Sequence, residues 1–192
     1  MSNSFGPTAL ATPANAVTVA RILVSPMLFA MIAGHKGSWL AVSLWAVLCC
    51  TDGADGYIAR RQGATRSGAF LDPLADKVLV LGAMFALVGH RVFWWLPVGI
   101  IGIRELSISL YRSWAGRRGI TIPARWWAKV KTVAQQVAVA FALLPPTEEH
   151  APWLARDCLW IAVVLTVVTG AQYFLDARQA SAKQLGLANR AV

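Results

Sequence analysis

The sequence predicts an all-α, polytopic membrane protein with six transmembrane helices and both termini cytoplasmic, and three observations carry that reading. Of the 192 residues, 57% are hydrophobic, nine are Trp and only 14% are charged, where a soluble domain would carry roughly 25% charged residues. Apolar stretches near the length of about 20 residues that crosses a bilayer recur six times, at 15–34, 39–59, 68–89, 92–114, 128–146 and 153–175. The basic residues alternate between sides. Twelve of the eighteen Lys and Arg fall after the second span (Arg60, Arg61, Arg66), around the loop after the fourth (Arg112, Arg117, Arg118, Arg125, Lys129, Lys131) and in the tail (Arg178, Lys183, Arg190). The intervening loops hold only Lys36, Arg91 and Arg156. The positive-inside rule makes the rich side cytoplasmic. The net charge of +9 is therefore a topological signal and not a nucleic-acid surface. The spans leave no room for a soluble domain, so the chain divides into a flexible cytoplasmic segment at 1–14, a six-helix membrane domain at 15–176 and a basic cytoplasmic tail at 177–192.

Each element follows from its residues. The start, MSNSFGPTALATP, lacks the basic opening of a signal peptide. Asn15 and Thr18 open the first span with Arg21 a turn further, a pattern of helix capping and a snorkelling arginine. The turn His35-Lys36-Gly37-Ser38 follows on the outside. In the third span Pro73 removes a backbone hydrogen bond and is expected to kink the helix, while Lys77 snorkels or balances charge. Arg104 and Glu105, set in apolar residues of the fourth span, read either as a buried structural pair or as an anion clamp. Arg117 and Arg118 suit an anionic lipid surface. Lys129 and Lys131, beside a helix start whose dipole favours anions, are better phosphate candidates. PPTEEH at 145–150 reads as an outer turn with Glu148 and Glu149 solvated, and the last span as lipid-facing or dimer-facing packing. Cys49, Cys50 and Cys158 have neither metal-ligand spacing nor a disulfide framework and read as small core residues.

The stretch from Asp52 to Asp76 organises the rest. It places Asp52, Asp55, Asp72 and Asp76 between runs long enough to enter a bilayer, where a carboxylate costs several kcal/mol unless neutralised. At helical spacing Asp52, Asp55, Gly56 and Ala59 share one stripe, and Gly68, Asp72 and Asp76 another. If the intervening segment turns the chain, the two stripes face each other and four carboxylates converge. Like charges cannot all remain ionised unaided. All-oxygen ligands, with no His or Cys between Asp52 and Asp76, favour magnesium or manganese as the compensating ion. Gly56 and Ala59 lack bulk, either for close helix packing or to admit a diphosphate and a flat base. Arg60 can bridge diphosphate oxygens with its planar fork.

Asp52-x-x-Asp55-Gly56-x-x-Ala59-Arg60, followed by Gly68-x-x-x-Asp72-x-x-x-Asp76, resembles the signature of the CDP-alcohol phosphotransferase family. The resemblance implies a CDP-diacylglycerol donor, an alcohol acceptor, release of CMP, two divalent cations and a homodimer. By the same likeness Asp52 and Asp72 bridge both cations, Asp55 binds one, and Asp76 binds the other and acts as general base. Asn15, Ala16, Val17 and Thr18 resemble the segment that touches the donor. Thr65, seven residues before Asp72, stands where similar members place a donor-binding hydroxyl.

A second constellation, Arg104-Glu105, Arg112-Ser113-Trp114 and Lys129-Val130-Lys131-Thr132 with Gln135, is similar to the branch of that family whose acceptor is glycerol 3-phosphate. Arg104, Arg112, Lys129 and Lys131 are then the expected acceptor-phosphate ligands. An inositol phosphate, serine or phosphatidylglycerol acceptor would keep every aspartate and change only this pocket. A divalent-cation transporter would also gather intramembrane carboxylates, but basic residues beside the acids would repel a permeating cation.

Overall fold

The computed structural model describes residues 13–34, 37–62, 68–117 and 126–188, with side chains for 15–34, 37–51, 74–112, 115, 126, 127 and 129–175. Seven α-helices follow in order: α1 Pro13–Gly34, α2 Trp39–Gln62, α3 Gly68–Gly89, α4 Trp95–Arg117, α5 Trp126–Leu143, α6 Pro145–His150 and α7 Pro152–Ala188. The described residues contain no strand. Six long helices correspond to the six apolar stretches.

The helices sort into two groups. α1 lies most extensively against α3 and then α2, whereas α5 lies most extensively against α7, which also packs on α4. A thinner seam between α3 and α4, α2 and α5, and α3 and α5 joins them. α1, α2 and α7 bury a stripe at helical spacing, Leu28 and Ile32, then Ala41, Trp45 and Leu48, then Ala155, Leu159 and Ala162, whereas α3 is buried over most of its girth, with Leu79, Val80, Leu81, Ala83, Met84 and Leu87 all inside. Two polar ties cross the seam or its ends. Trp45 Nε1 donates to the Gln136 carbonyl at 3.2 Å, and the Ser38 amide donates to the Leu143 carbonyl at 3.0 Å.

Close packing, which replaces the hydrophobic effect between helices in lipid, is tightest where α1 meets α3. A Cβ on Gly82 would stand 2.3 Å from Phe29 Cζ, so only glycine lets the ring lie against α3. Pro26 sits inside α1 and withholds one backbone donor. Ser25 Oγ, one residue earlier, donates to the Arg21 carbonyl at 2.7 Å. At the end of α3 the chain reverses with the Arg91 amide on the Val88 carbonyl at 3.0 Å and the Val92 amide on the Leu87 carbonyl at 3.1 Å. That pattern needs a left-handed residue at its centre, and Arg91 supplies it at φ 59°.

The outer surface is apolar. Leu23, Ile103 and Leu110 are each more than 70% exposed, and Met27, Val164 and Val167 are also exposed, which is the surface a bilayer solvates and water does not. Among the described residues two helices are long and apolar enough to cross a membrane, Asn15–Gly34 and Pro152–Leu175, with Trp39–Thr51 a shorter apolar run. α3, α4 and α5 carry Lys77, Arg104, Glu105 and Lys131 within their length, which lowers their hydropathy.

Several expectations change. PPTEEH is a six-residue helix, not a plain turn: two prolines suit its first positions, Glu148 sits in its first turn and His150 in its last, matching the helix dipole. Glu148 is half-buried rather than solvated, because Gly37 lets the preceding turn approach it. Cys50 is exposed, while Cys49 and Cys158 are half-buried. One face of the last span is core, not lipid-facing or dimer-facing, with Leu159, Ala162 and Thr166 buried. The helix then continues through the predicted tail to Ala188.

Candidate active site

Asp52 and Asp55 lie on the last turns of α2, and Asp72 and Asp76 on the first turns of α3. All four aspartate positions therefore fall toward the ends of α2 and α3 that residues 63–67 connect. Their convergence falls outside the described side chains, as do Gly56, Ala59, Arg60 and Gly68, and Thr65 falls outside the described residues. Asp76 is described: it is half-buried and engaged with a partner.

The start of α1 contributes a buried polar stripe. Asn15, Thr18, Arg21 and Ser25 are each 2% exposed or less, at spacings of three, three and four. Val17 is half-buried and Ala16 exposed, so the four expected donor contacts do not all share one face. Asn15 is the third residue of the helix, too far in to cap it. Arg21 does not snorkel. It is 2% exposed and engaged, since it sits on the same stripe as Leu28 and Ile32, which pack inward. A buried guanidinium among buried hydroxyl and amide groups is the feature the sequence reading missed here, and the Asn15-Thr18-Arg21-Ser25 spacing was the available signal.

Across the seam a second centre forms around one carboxylate oxygen. Glu105 Oε1 accepts from Arg104 Nη1 at 3.1 Å and from Lys131 Nζ. The side chains of Arg104, Glu105 and Lys131 are 15%, 12% and 5% exposed, so both readings of the Arg104–Glu105 pair begin from a true ion pair. Lys77, the residue after Asp76, lies within electrostatic range of Glu105 and Lys131. Arg112 and Lys129 are exposed, and Arg112 lies within electrostatic range of Tyr173, as Arg104 does. Lys131 is the sixth residue of α5, past the reach of its N-terminal dipole.

α7 holds this cluster in place, and sequence reasoning assigned it no such role. Arg104 Nη2 donates to Thr169 Oγ1 at 3.0 Å, and Thr169 in turn donates to the Leu165 carbonyl at 2.7 Å. The Arg104 stem lies along Gly170, where a Cβ would stand 3.4 Å from Nε. One turn away Gln135 Nε2 donates to Thr166 Oγ1 at 3.2 Å. Thr166, Thr169 and Gly170 at i, i+3 and i+4 were the sequence signal. Beyond them Tyr111 and Tyr173 meet edge to face with centroids 5.9 Å apart.

Exposed apolar flanks around an interior of paired charges define a membrane-embedded helical protein built around a charged centre. The chain belongs to the CDP-alcohol phosphatidyltransferase family, whose sequence profile matches residues 11–168. It is 36% identical over 170 residues to the CDP-diacylglycerol--glycerol-3-phosphate 3-phosphatidyltransferase of Shigella flexneri serotype 5b (strain 8401), a match covering 84% of this chain and 92% of the relative. The protein of the same name from Escherichia coli (strain K12) matches to the same identity and coverage.

Proposed function

We propose that this chain transfers a phosphatidyl group from CDP-diacylglycerol to a hydroxyl of glycerol 3-phosphate, releasing CMP and forming phosphatidylglycerophosphate. The observation that carries the acceptor is the placement of Arg104 and Lys131 around Glu105 within reach of Lys77, beside Asp76. Two cations that share one carboxylate keep further donors for a phosphate, and a guanidinium fork and an ammonium suit phosphate oxygens.

Asp52, Asp55, Asp72 and Asp76 offer only oxygen donors, a set suited to two magnesium or manganese ions. Bound there, such ions would offset charge on the attacking and leaving oxygens. Asp76, half-buried on α3, is the residue to which the family likeness assigns acceptance of the proton of the attacking hydroxyl. The donor is assigned to the buried polar stripe of Asn15, Thr18 and Arg21 and, from the sequence motif, to Gly56, Ala59, Arg60, Thr65 and Gly68. Positioning and charge stabilisation are most of what phosphoryl chemistry asks of a protein. The six long helices cross the membrane, the basic connections and both termini face the cytoplasm, the reacting centre lies at that face, and the chain works as a homodimer.

Purified protein given CDP-diacylglycerol and magnesium is expected to release CMP with glycerol 3-phosphate and not with inositol phosphate, serine or phosphatidylglycerol. Asp76→Asn should abolish turnover while retaining donor binding. CMP release with another acceptor alone would reassign the pocket, and vesicle metal uptake without CMP formation would make the chain a transporter.

A further inference from the structure

A second recess lies at the other end of the bundle, about 18 Å along α3 from Asp76 at 1.5 Å per residue. The turn after α3, the start of α4 and the start of α7 frame an open, mainly apolar cleft of about 450 Å³, within the roughly 300–1,000 Å³ of small-ligand sites. Arg91 and Arg156 both line it, with Trp94, Trp95 and Trp160. Both arginines are exposed, and among the described residues neither makes an ion pair. Asp157, the adjoining acid on α7, is not part of the lining. Two guanidinium groups around one recess select an anion, and their planar forks suit phosphate oxygens.

The surroundings select a lipid over a free anion. Trp94 packs on Trp95 and Trp160 with centroids 6.4 and 6.5 Å apart, and all three rings remain 44% or more exposed. Exposed indoles beside arginines are what a protein presents at head-group depth. From Trp160 an exposed apolar track continues down α7 through Val164 and Val167 at i+4 and i+7. That track offers an acyl chain a path below a head group held by the arginines. Arg91 is held there by the left-handed turn described above, so the backbone, and not a mobile loop, fixes where this charge stands.

We propose that this recess binds the phosphate of an anionic phospholipid in the leaflet opposite Asp76, with one acyl chain along Trp160, Val164 and Val167. The inference rests on the membrane-embedded reading and not on the reaction. Each basic side chain at such a surface favours an anionic lipid roughly fivefold, so two give about 30-fold.

The test uses the full chain in phosphatidylcholine vesicles doped with a photoactivatable phosphatidylglycerol or, separately, a photoactivatable phosphatidylcholine, with adducts mapped by mass spectrometry. The anionic probe is expected to label 88–97 and 153–161 at least tenfold more than the zwitterionic one. Arg91→Asn, which tolerates the left-handed backbone, combined with Arg156→Gln should erase that preference while CMP release stays within twofold of wild type. Equal labelling by both probes would overturn the proposal. So would loss of labelling in millimolar inorganic phosphate, which would make this a free-anion site, or replacement of lipid adducts by crosslinks between two copies of the chain. Should the double variant fail to fold, the wild-type ratio between probes still decides. No turnover enters that ratio, so it stands or falls separately from the catalytic assignment.

Discussion

Replacing Glu105 with Gln removes the one carboxylate shared by Arg104 and Lys131 while keeping its shape. Arg104 and Lys131 are then left facing each other, with Lys77 adding a third positive charge in range. Breaking a buried ion pair by removing one partner costs about 3–5 kcal/mol. For a chain of this size each kcal/mol lowers Tm by roughly 2–4 °C, so Glu105→Gln should lower it by about 6–20 °C. Lys131→Met is expected to cost less, about 1.5–3 kcal/mol for one lost hydrogen bond to a charged group, because Glu105 keeps Arg104. The double variant should lose less than the sum of the two, with a coupling of at least about 1 kcal/mol. Thermal unfolding of the four proteins in one detergent measures the cycle. Strictly additive losses, or a Glu105→Gln loss below about 1 kcal/mol, would refute the shared-carboxylate account.

Other substitutions probe neighbouring contacts. Thr169→Val removes the acceptor for Arg104 Nη2 and should raise the KM for glycerol 3-phosphate severalfold with little change for CDP-diacylglycerol, as measured by CMP release; an unchanged KM would separate this contact from the acceptor site. Gly82→Ala pushes a Cβ to 2.3 Å from Phe29 Cζ and should cost about 1–3 kcal/mol by overpacking; Phe29→Leu in the same chain should restore most of it in thermal unfolding. Chelation with EDTA should abolish CMP release, and added magnesium or manganese should restore it.

Much of the architecture was legible because a bilayer restricts the choice. Apolar runs of the right length between basic and polar turns marked the six long helices to within a few residues at every end but one, since a helix in lipid satisfies its own backbone; α7 runs on to Ala188 through polar residues that read as tail. The aspartate motif and the Arg104–Glu105 pair stood out because charge is costly between apolar runs, whereas the Lys131 bond to Glu105 did not, because Lys131 read as a phosphate ligand beside Lys129. What stayed hidden depends on which way a helix face turns. Arg21 read as snorkelling because nothing local to it says that the Leu28 stripe points inward. Thr166 and Thr169 read as ordinary span residues until α5 and Arg104 arrive beside them. PPTEEH read as a turn because prolines usually end helices, yet two at the first positions also start one.

The two-group packing has a mechanical consequence. On the reading proposed here, the donor is gripped by α1, α2 and α3, whereas the acceptor phosphate is gripped by α4 and α5 and braced by α7. Neither set of helices holds both reactants. A shift of a fraction of an ångström between the halves would change how far the attacking oxygen must travel without loosening either grip. Residues along that joint, such as Trp45 with its bond to the Gln136 carbonyl, are where speed can be tuned independently of affinity.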